Sequence, residues 1–270
     1  MDVDNIVQTC AASDIGLKRK ENEDTYLIVA DSTNKFDVQY HGRMYAIADG
    51  MGGHAGGKIA SEMACKGLID YYKVNKFADE KTKGFCKVRL FQLETTLHRI
   101  HDSIRRYGKE NNTYAGLGTT LSVLVLIGNR ALIAHVGDSR IYRLRWDSLE
   151  QMTEDHTMAQ VLIGLKYLSP QAARTHPSQH ILTQVVGHDM EHIDSRVEDI
   201  KKGDIFLLCS DGLYDMVSDK EIKDILLNNS VRNEKCRQLV KRALENGGKD
   251  NITLILAQIQ PHEFPGIGSL

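Results

Sequence analysis

The chain has 270 residues, 26% of them charged, with a net charge of -2 and a sequence pI near 6.6. That length buries a sizeable core in one large or two small domains, and a near-neutral balance with no basic block beyond Lys18-Arg19-Lys20 argues against nucleic acid or an anionic membrane as partner. The longest apolar run, around Leu121 to Ile127, is far short of the roughly 20 residues of a membrane helix, and the N-terminus lacks a signal-peptide core, so a soluble protein is expected.

Ile6 to Ser13 and Thr25 to Ala30 read as strands, joined by a charged connection, Gly16 to Asp24, in which Arg19 lies four residues before Glu23. Arg43 to Ala48 is a buried strand that runs into Asp49 and then into a loop with five glycines between positions 50 and 57 and a lone His54. Such glycine density lets backbone come close to a ligand. In isolation an Asp-Gly turn explains the same residues. From Gly57 onward Ile59, Ala60, Met63, Ala64, Gly67, Leu68 and Tyr71 recur at helical spacing, and Val88, Phe91, Leu93, Leu97, Ile100 and Ile104 predict a second helix from about Thr82 to Asn111. His98 and His101 lie three apart on it and read as a solvated pair rather than a metal site.

Gly118 to Ile127, Ala131 to Val136 and Arg140 to Arg145 follow as strands, and their short connections predict antiparallel neighbours. Gly137-Asp138-Ser139 puts another carboxylate at a strand exit. Thr153 to Gly187 is looser, with short helices near Met158 to Ile163 and Pro170 to Arg174 and polar material around His176, Pro177 and His180; connections this long are usually functional or mobile. Val197 to Ile200 and Asp204 to Cys209 are strands, the latter leading into Ser210-Asp211-Gly212. Helices are predicted over Ser218 to Asn228, where Ser218 and Glu221 make a capping box, and over Asn233 to Asn246. Gly247-Gly248-Lys249-Asp250-Asn251 enters the last strand, Ile252 to Ile259, and the final ten residues, with Pro261 and Pro265, read as a tail. Five cysteines, odd in number and never in C-x-x-C spacing, fit reduced thiols in a cytoplasmic protein.

Asp49, Asp211 and Asp250 each sit at the mouth of an apolar strand beside glycine, and Glu23 makes a fourth carboxylate that one sheet edge can gather. Like charges packed together raise each other's pKa, so convergence calls for cations, and an all-oxygen set suits Mg²⁺ or Mn²⁺ better than Zn²⁺. Two divalent ions neutralise four carboxylates. A pair about 3.5 to 4 Å apart activates a bridging water and clamps a phosphoryl group, whose remaining charge Arg19 would hold.

Six motifs stand in one order: Arg19 with Asn22-Glu23-Asp24; Asp49-Gly50-Met51-Gly52-Gly53-His54; Gly118-Thr119-Thr120; Gly137-Asp138-Ser139-Arg140; Ser210-Asp211-Gly212; and Asp250-Asn251-Ile252-Thr253. In that order the chain resembles the metal-dependent serine/threonine protein phosphatases of type 2C, in their compact bacterial form, over positions 6 to 260. The resemblance implies an α/β (α+β) fold: a four-layer α-β-β-α sandwich of two antiparallel sheets packed face to face and flanked by helix pairs. It implies one catalytic domain over 1–260, with a flap at 153–187, followed by the tail 261–270. The implied activity is hydrolysis of phosphoserine and phosphothreonine in proteins by a hydroxide bridging two Mn²⁺ or Mg²⁺ ions. Asp49 would bridge them, with Asp211 and Asp250 on the first ion and Glu23 and the Gly50 carbonyl on the second. Arg19 matches the phosphate-binding arginine and His54 the general acid. Asp138 matches the residue that joins Asp211 at a weaker third divalent site, and Asp24 and Asn251 match supporting positions. Leu165-Lys166-Tyr167-Leu168 stands where a more polar turn is usual, a departure that bears on substrate choice. The implied partners are phosphorylated proteins, a Ser/Thr kinase or its substrates, met by a cytoplasmic monomer. Two other classes fit less well: a phosphoprotein-binding domain without catalysis, which would have lost a carboxylate, and a two-metal nuclease, which would carry a basic groove.

Overall fold

A computed structural model describes residues 7–33, 35–52, 55–73, 84–111, 114 and 116–260. Its strands are β1 (Val7–Asp14), β2 (Thr25–Val29), β3 (Arg43–Ala48), β4 (Gly50–Met51), β5 (Gly118–Thr119), β6 (Leu121–Ile127), β7 (Arg130–Val136), β8 (Arg140–Arg145), β9 (Ser148–Gln151), β10 (Asp194–Asp199), β11 (Ile205–Cys209) and β12 (Ile252–Ile259). The helices are α1 (Val38–His41), α2 (Ala55–Gly67), α3 (Phe85–Glu110), α4 (Met158–Gly164), α5 (Pro170–Ala173), α6 (Asp211–Tyr214), α7 (Asp219–Leu227) and α8 (Arg232–Glu245).

Several strands are apolar at nearly every position, a pattern that fits only strands covered on both faces. Side chains alternate across a strand, so each such run divides between two cores. In β3, Met44, Ala46 and Ala48 face α2 and α3, while Tyr45 and Ile47 face the opposite sheet. In β12, Ile252, Leu254 and Leu256 face α8, and Ile255, Ala257 and Ile259 point inward. Phe206 and Leu208 of β11 meet Leu124 and Leu126 of β6 in that middle core. Phe206 is fully buried there, and truncation of such a residue costs about 3 to 5 kcal/mol. Two antiparallel five-stranded sheets result, ordered β1-β12-β11-β8-β9 and β10-β7-β6-β3-β2, with helices on both outer faces. This is the expected four-layer sandwich.

Helix ends follow local chemistry. Ser218 Oγ accepts from Glu221 N at 3.3 Å while Glu221 Oε2 accepts from Ser218 N at 3.1 Å, the reciprocal cap that starts α7. The β6–β7 hairpin turns on Gly128-Asn129, with Gly128 at φ 53°.

Four expectations need correction. Arg140 to Arg145 is not a sheet neighbour of Ala131 to Val136: β7 pairs with β6 and β10, whereas β8 pairs with β11 and β9. Gly137-Asp138-Ser139, with Gly137 at φ 106°, carries the chain from one sheet to the other. The predicted strand Gly118 to Ile127 is broken at Thr120, whose N–H donates to the Asp49 carbonyl at 2.8 Å, so β5 leaves the sheet and pairs with β4. His101 is buried rather than solvated. Its Nδ1 accepts from Gly187 N at 3.0 Å, and burial lowers its pKa, which favours the neutral acceptor. Finally, Cys10 and Cys236, expected as thiols, are joined by a disulfide where α8 packs on the edge strand β1, leaving Cys65, Cys86 and Cys209 free. No helix among the described residues is long and apolar enough to cross a membrane. His54 and the tail 261–270 lie outside the described residues.

Candidate active site

Loops at one end of the sandwich bring Glu23, Asp24, Asp49, Asp138, Asp211 and Asp250 into one electrostatic neighbourhood. Both sheets contribute. Glu23 and Asp24 lead into β2 and Asp49 leaves β3, whereas Asp211 follows β11 and Asp250 precedes β12. Asp138 lies on the crossing between the sheets.

Hydrogen bonds between distant segments place several of these carboxylates. Asp49 N donates to Thr120 Oγ1 at 3.0 Å, and the Asp49 carbonyl accepts from Thr119 Oγ1 and Thr120 N, both at 2.8 Å. Thr120 Oγ1 lies 2.7 Å from Ser139 Oγ, which ties the Asp49 turn to the Asp138 turn. Asn251 accepts from Glu23 N at 2.9 Å through Oδ1, and its Nδ2 donates to Ile15 O at 2.9 Å and Glu21 O at 3.0 Å, so one side chain fixes the loop that carries Arg19 and Glu23. Asp24 Oδ2 accepts from Ser210 Oγ at 2.8 Å, one residue before Asp211. Close approach explains two glycines: a Cβ on Gly50 would overlap the Gly57 carbonyl, and Gly16, at φ 76°, lies against the Asp250 carbonyl.

Burial dominates the electrostatics. It pushes Asp49 and Asp211 well above the carboxylate range, and the neighbouring carboxylates add to it. Burial likewise lifts Asp24 to about 6 and Asp138 to about 7, and raises Glu23 against the opposing pull of Arg19. Arg19 Nη2 sits 2.5 Å from Asp250 Oδ2, with the guanidinium half exposed. Glu23 Oε1, Asp24 Oδ1 and Asp211 Oδ1 are buried with no hydrogen-bond partner among the described residues. Buried, unpartnered carboxylate oxygens are costly, and hard divalent cations are the ligand such oxygens fit. The residues present therefore fit a divalent-metal site.

A pH dependence follows. In chelator-treated protein, groups with raised folded pKa values bind protons more tightly folded than unfolded. Their stabilisation is complete below the unfolded carboxylate value of about 4 and is lost as pH rises through about 6 for Asp24 and about 7 for Asp138. Metal-free melting temperature is expected to fall between pH 5 and 8. Metal ligands must be deprotonated, so the gain in melting temperature on adding Mn²⁺ is expected to widen over the same range. Calorimetry at four pH values, with and without Mn²⁺, checks this; a metal-free value that rises with pH contradicts it.

Sequence reasoning missed the residues that act through other segments. Tyr214 OH donates to Asp138 O at 3.1 Å, and the Arg140 guanidinium stacks 3.6 Å over the Tyr214 ring while pairing with Asp155 at 2.6 Å. Asp215 was missed as well. Its one signal is its place four residues after Asp211, which sets both on one face of a helical turn.

An α-β-β-α sandwich thus delivers carboxylates from both sheets to one mouth, with an arginine beside them, a donor set that fits divalent cations. Residues 21–256 match the family model described as Protein phosphatase 2C. The chain is 35% identical over 255 residues to Protein phosphatase PhpP of Streptococcus pneumoniae, an alignment covering 93% of this chain and 97% of PhpP. It is 33% identical over 260 residues to Serine/threonine protein phosphatase PstP of Mycobacterium tuberculosis, covering 96% of this chain and 46% of PstP. The crystal structure of the PstP catalytic domain in complex with two manganese ions is similar with a TM-score of 0.78 at 31% identity, covering 94% of this chain and 99% of that one. The chain belongs to the protein phosphatase 2C family of metal-dependent serine/threonine protein phosphatases.

Proposed function

We propose that residues 1–260 form one catalytic domain that removes phosphate from phosphoserine and phosphothreonine of cytoplasmic proteins, opposing a Ser/Thr kinase, and that the protein works as a monomer with two Mn²⁺ or Mg²⁺ ions. The observation that carries this reading is the group of buried oxygens of Glu23, Asp24 and Asp211, unpartnered among the described residues, near Asp49, whose charged form burial and neighbouring carboxylates disfavour. Glu23, Asp49, Asp211, Asp250 and the Gly50 carbonyl would hold the ions, with Asp138 toward a weaker third. When bound, the ions supply an acidified water and neutralise charge on the phosphoryl group.

The chain's own residues do the rest. Arg19 holds phosphate oxygens bidentately once its partner Asp250 is engaged by a cation, and its half-exposed position leaves it free to reach substrate. Asn251 keeps the Arg19 and Glu23 loop in register, and Asp24, held by Ser210, sets the entry of β2. His54 donates a proton to the departing serine or threonine oxygen. Cytoplasmic action fits the near-neutral charge and the three free thiols; the disulfide is the observation that weighs against it.

The test is release of phosphate from a phosphothreonine peptide after chelation, with and without Mn²⁺. Turnover that appears only with metal is expected; metal binding without turnover would make the chain a phosphoprotein-binding domain. For His54 the leaving group discriminates. A serine alkoxide needs a proton as the P–O bond breaks, whereas nitrophenolate departs unaided. His54→Ala is expected to slow phosphopeptide hydrolysis by about 10² to 10⁴-fold and p-nitrophenyl phosphate hydrolysis far less. Equal losses on both substrates would remove His54 from that role.

A further inference from the structure

His156, near the start of the segment between β9 and β10, grips the Gly137 peptide from both sides. Its backbone N donates to Gly137 O at 2.7 Å, and Gly137 N donates to its Nδ1 at 3.1 Å. Gly137, at φ 106°, makes the bend that carries the chain from one sheet to the other, and Asp138 and Ser139 follow it directly. Ser139 Oγ lies 2.7 Å from Thr120 Oγ1, which accepts from Asp49 N at 3.0 Å, so the bend is bonded onward to the Asp49 turn. His156 is itself anchored. Its carbonyl accepts from Thr183 N at 2.9 Å, and the next residue, Thr157, pairs with Leu182 in an isolated bridge, so the outgoing and returning stems of the 153–187 segment close on each other here.

These bonds fix the state of the ring. A backbone N–H only donates, so Nδ1 carries the lone pair, and the neutral ring has its proton on Nε2, which faces Asp194 Oδ2 at 3.2 Å. That tautomer leaves His156 no lone pair with which to join His192 and Asp194 in holding a metal. Gly137 and His156 are both buried, and the His135 and His192 rings lie 4.9 and 5.4 Å from the His156 ring. Loss of Nδ1 therefore strands the Gly137 N–H away from water, and the bend must shift until it finds another acceptor.

We propose that His156 is a positioning residue which, through Nδ1, fixes the Gly137 bend and with it the places of Asp138 and Asp49. The proposal rests on the reading above for what those carboxylates do, and on the hydrogen bonds alone for how they are placed.

Two amide side chains separate the two ring nitrogens. Asparagine puts an amide oxygen where Nδ1 stood and does not reach Asp194; glutamine puts an amide nitrogen where Nε2 stood and offers Gly137 nothing. Both keep the backbone bond to Gly137 O, so a merely structural histidine would make the two variants alike. Wild type, His156→Asn, His156→Gln and His156→Ala are compared by kcat and KM on a phosphothreonine peptide at saturating Mn²⁺, by melting temperature, and by amide hydrogen exchange at Gly137 followed by NMR in chelated protein. The Gln and Ala proteins are expected to lose about 10 to 100-fold in kcat, the usual cost of removing a bond that orients a ligand, with little change in KM, and to exchange the Gly137 amide faster. The Asn protein is expected to stay near wild type in kcat and in Gly137 exchange. An Asn protein as impaired as the Gln protein, or kcat losses that follow melting temperature across the variants, overturns the proposal. So does a Gly137 amide that exchanges no faster in the Gln protein than in wild type. Wild type without Mn²⁺-dependent turnover would overturn the catalytic reading alone, and the exchange pattern across the variants would then decide the role of Nδ1.

Discussion

An Asp49→Asn protein is expected to melt higher than wild type without metal and to be inactive with it. Burial disfavours the charged form of Asp49, and Asp24, Asp211, Asp138 and Asp250 all add repulsion to it. Asparagine has nearly the same shape, keeps the backbone bonds to Thr119 and Thr120, and offers an amide donor to Asp24, so the empty fold gains stability. The same change removes the carboxylate proposed to lie between the two ions. Metal catalysis of this kind supplies several kcal/mol of transition-state stabilisation, and each 1.36 kcal/mol is tenfold in rate, so turnover should fall by about 10³-fold or more. The rise in melting temperature with Mn²⁺ should nearly vanish. Calorimetry with and without Mn²⁺, beside a phosphopeptide assay, reads both signs at once. A variant that is less stable than wild type without metal and still gains fully from Mn²⁺ would displace Asp49 from the centre of the site.

Asp49 and Asp211 were legible because a carboxylate at the exit of an apolar strand, next to glycine, is a local pattern, and Asp250 because it stands at the entrance of another apolar strand two residues after Gly248. Asn251 was legible only by resemblance, since what it holds, Ile15, Glu21 and Glu23, lies more than 220 positions away. Thr119 and Thr120 act through the backbone of Asp49, which no side-chain pattern reports. The long strands and helices carried enough period to be read within a few residues. The segments β4, β5, α1 and α6, of two to four residues each, are too short to show any period. The switch of sheets at Gly137-Asp138-Ser139 was illegible because its length suits an ordinary hairpin equally well. His180 and Asp215 meet from different segments 35 positions apart, so their meeting is a tertiary fact.

Breaking the Cys10–Cys236 bond is expected to lower the melting temperature by about 10 to 20 °C. The bond closes a loop spanning 226 positions, and on the chain-entropy account a loop of that size stabilises by about 5 kcal/mol. At about 2 to 4 °C per kcal/mol for a chain of this size, that is the stated shift. Its location matters as well. β1 runs on to the Arg19 loop and α8 to the Asp250 loop, so the bond ties together the two elements from which those loops spring. A Cys236→Ser protein, and wild type in dithiothreitol, should show the same loss, and thiol titration in denaturant should count three free thiols in wild type before reduction and five after. Five thiols at the outset, with a melting temperature indifferent to dithiothreitol, would return these cysteines to the reduced state first expected.

The carboxylates are drawn from opposing sheets, so whatever binds between them also holds the two halves of the sandwich together at that end. Metal supply is then expected to govern the protein's lifetime as well as its rate: molecules without metal are expected to open first where the like charges face each other, which exposes backbone to proteases. Limited proteolysis of chelated protein, with and without added Mn²⁺, checks this; equal rates of cleavage contradict it.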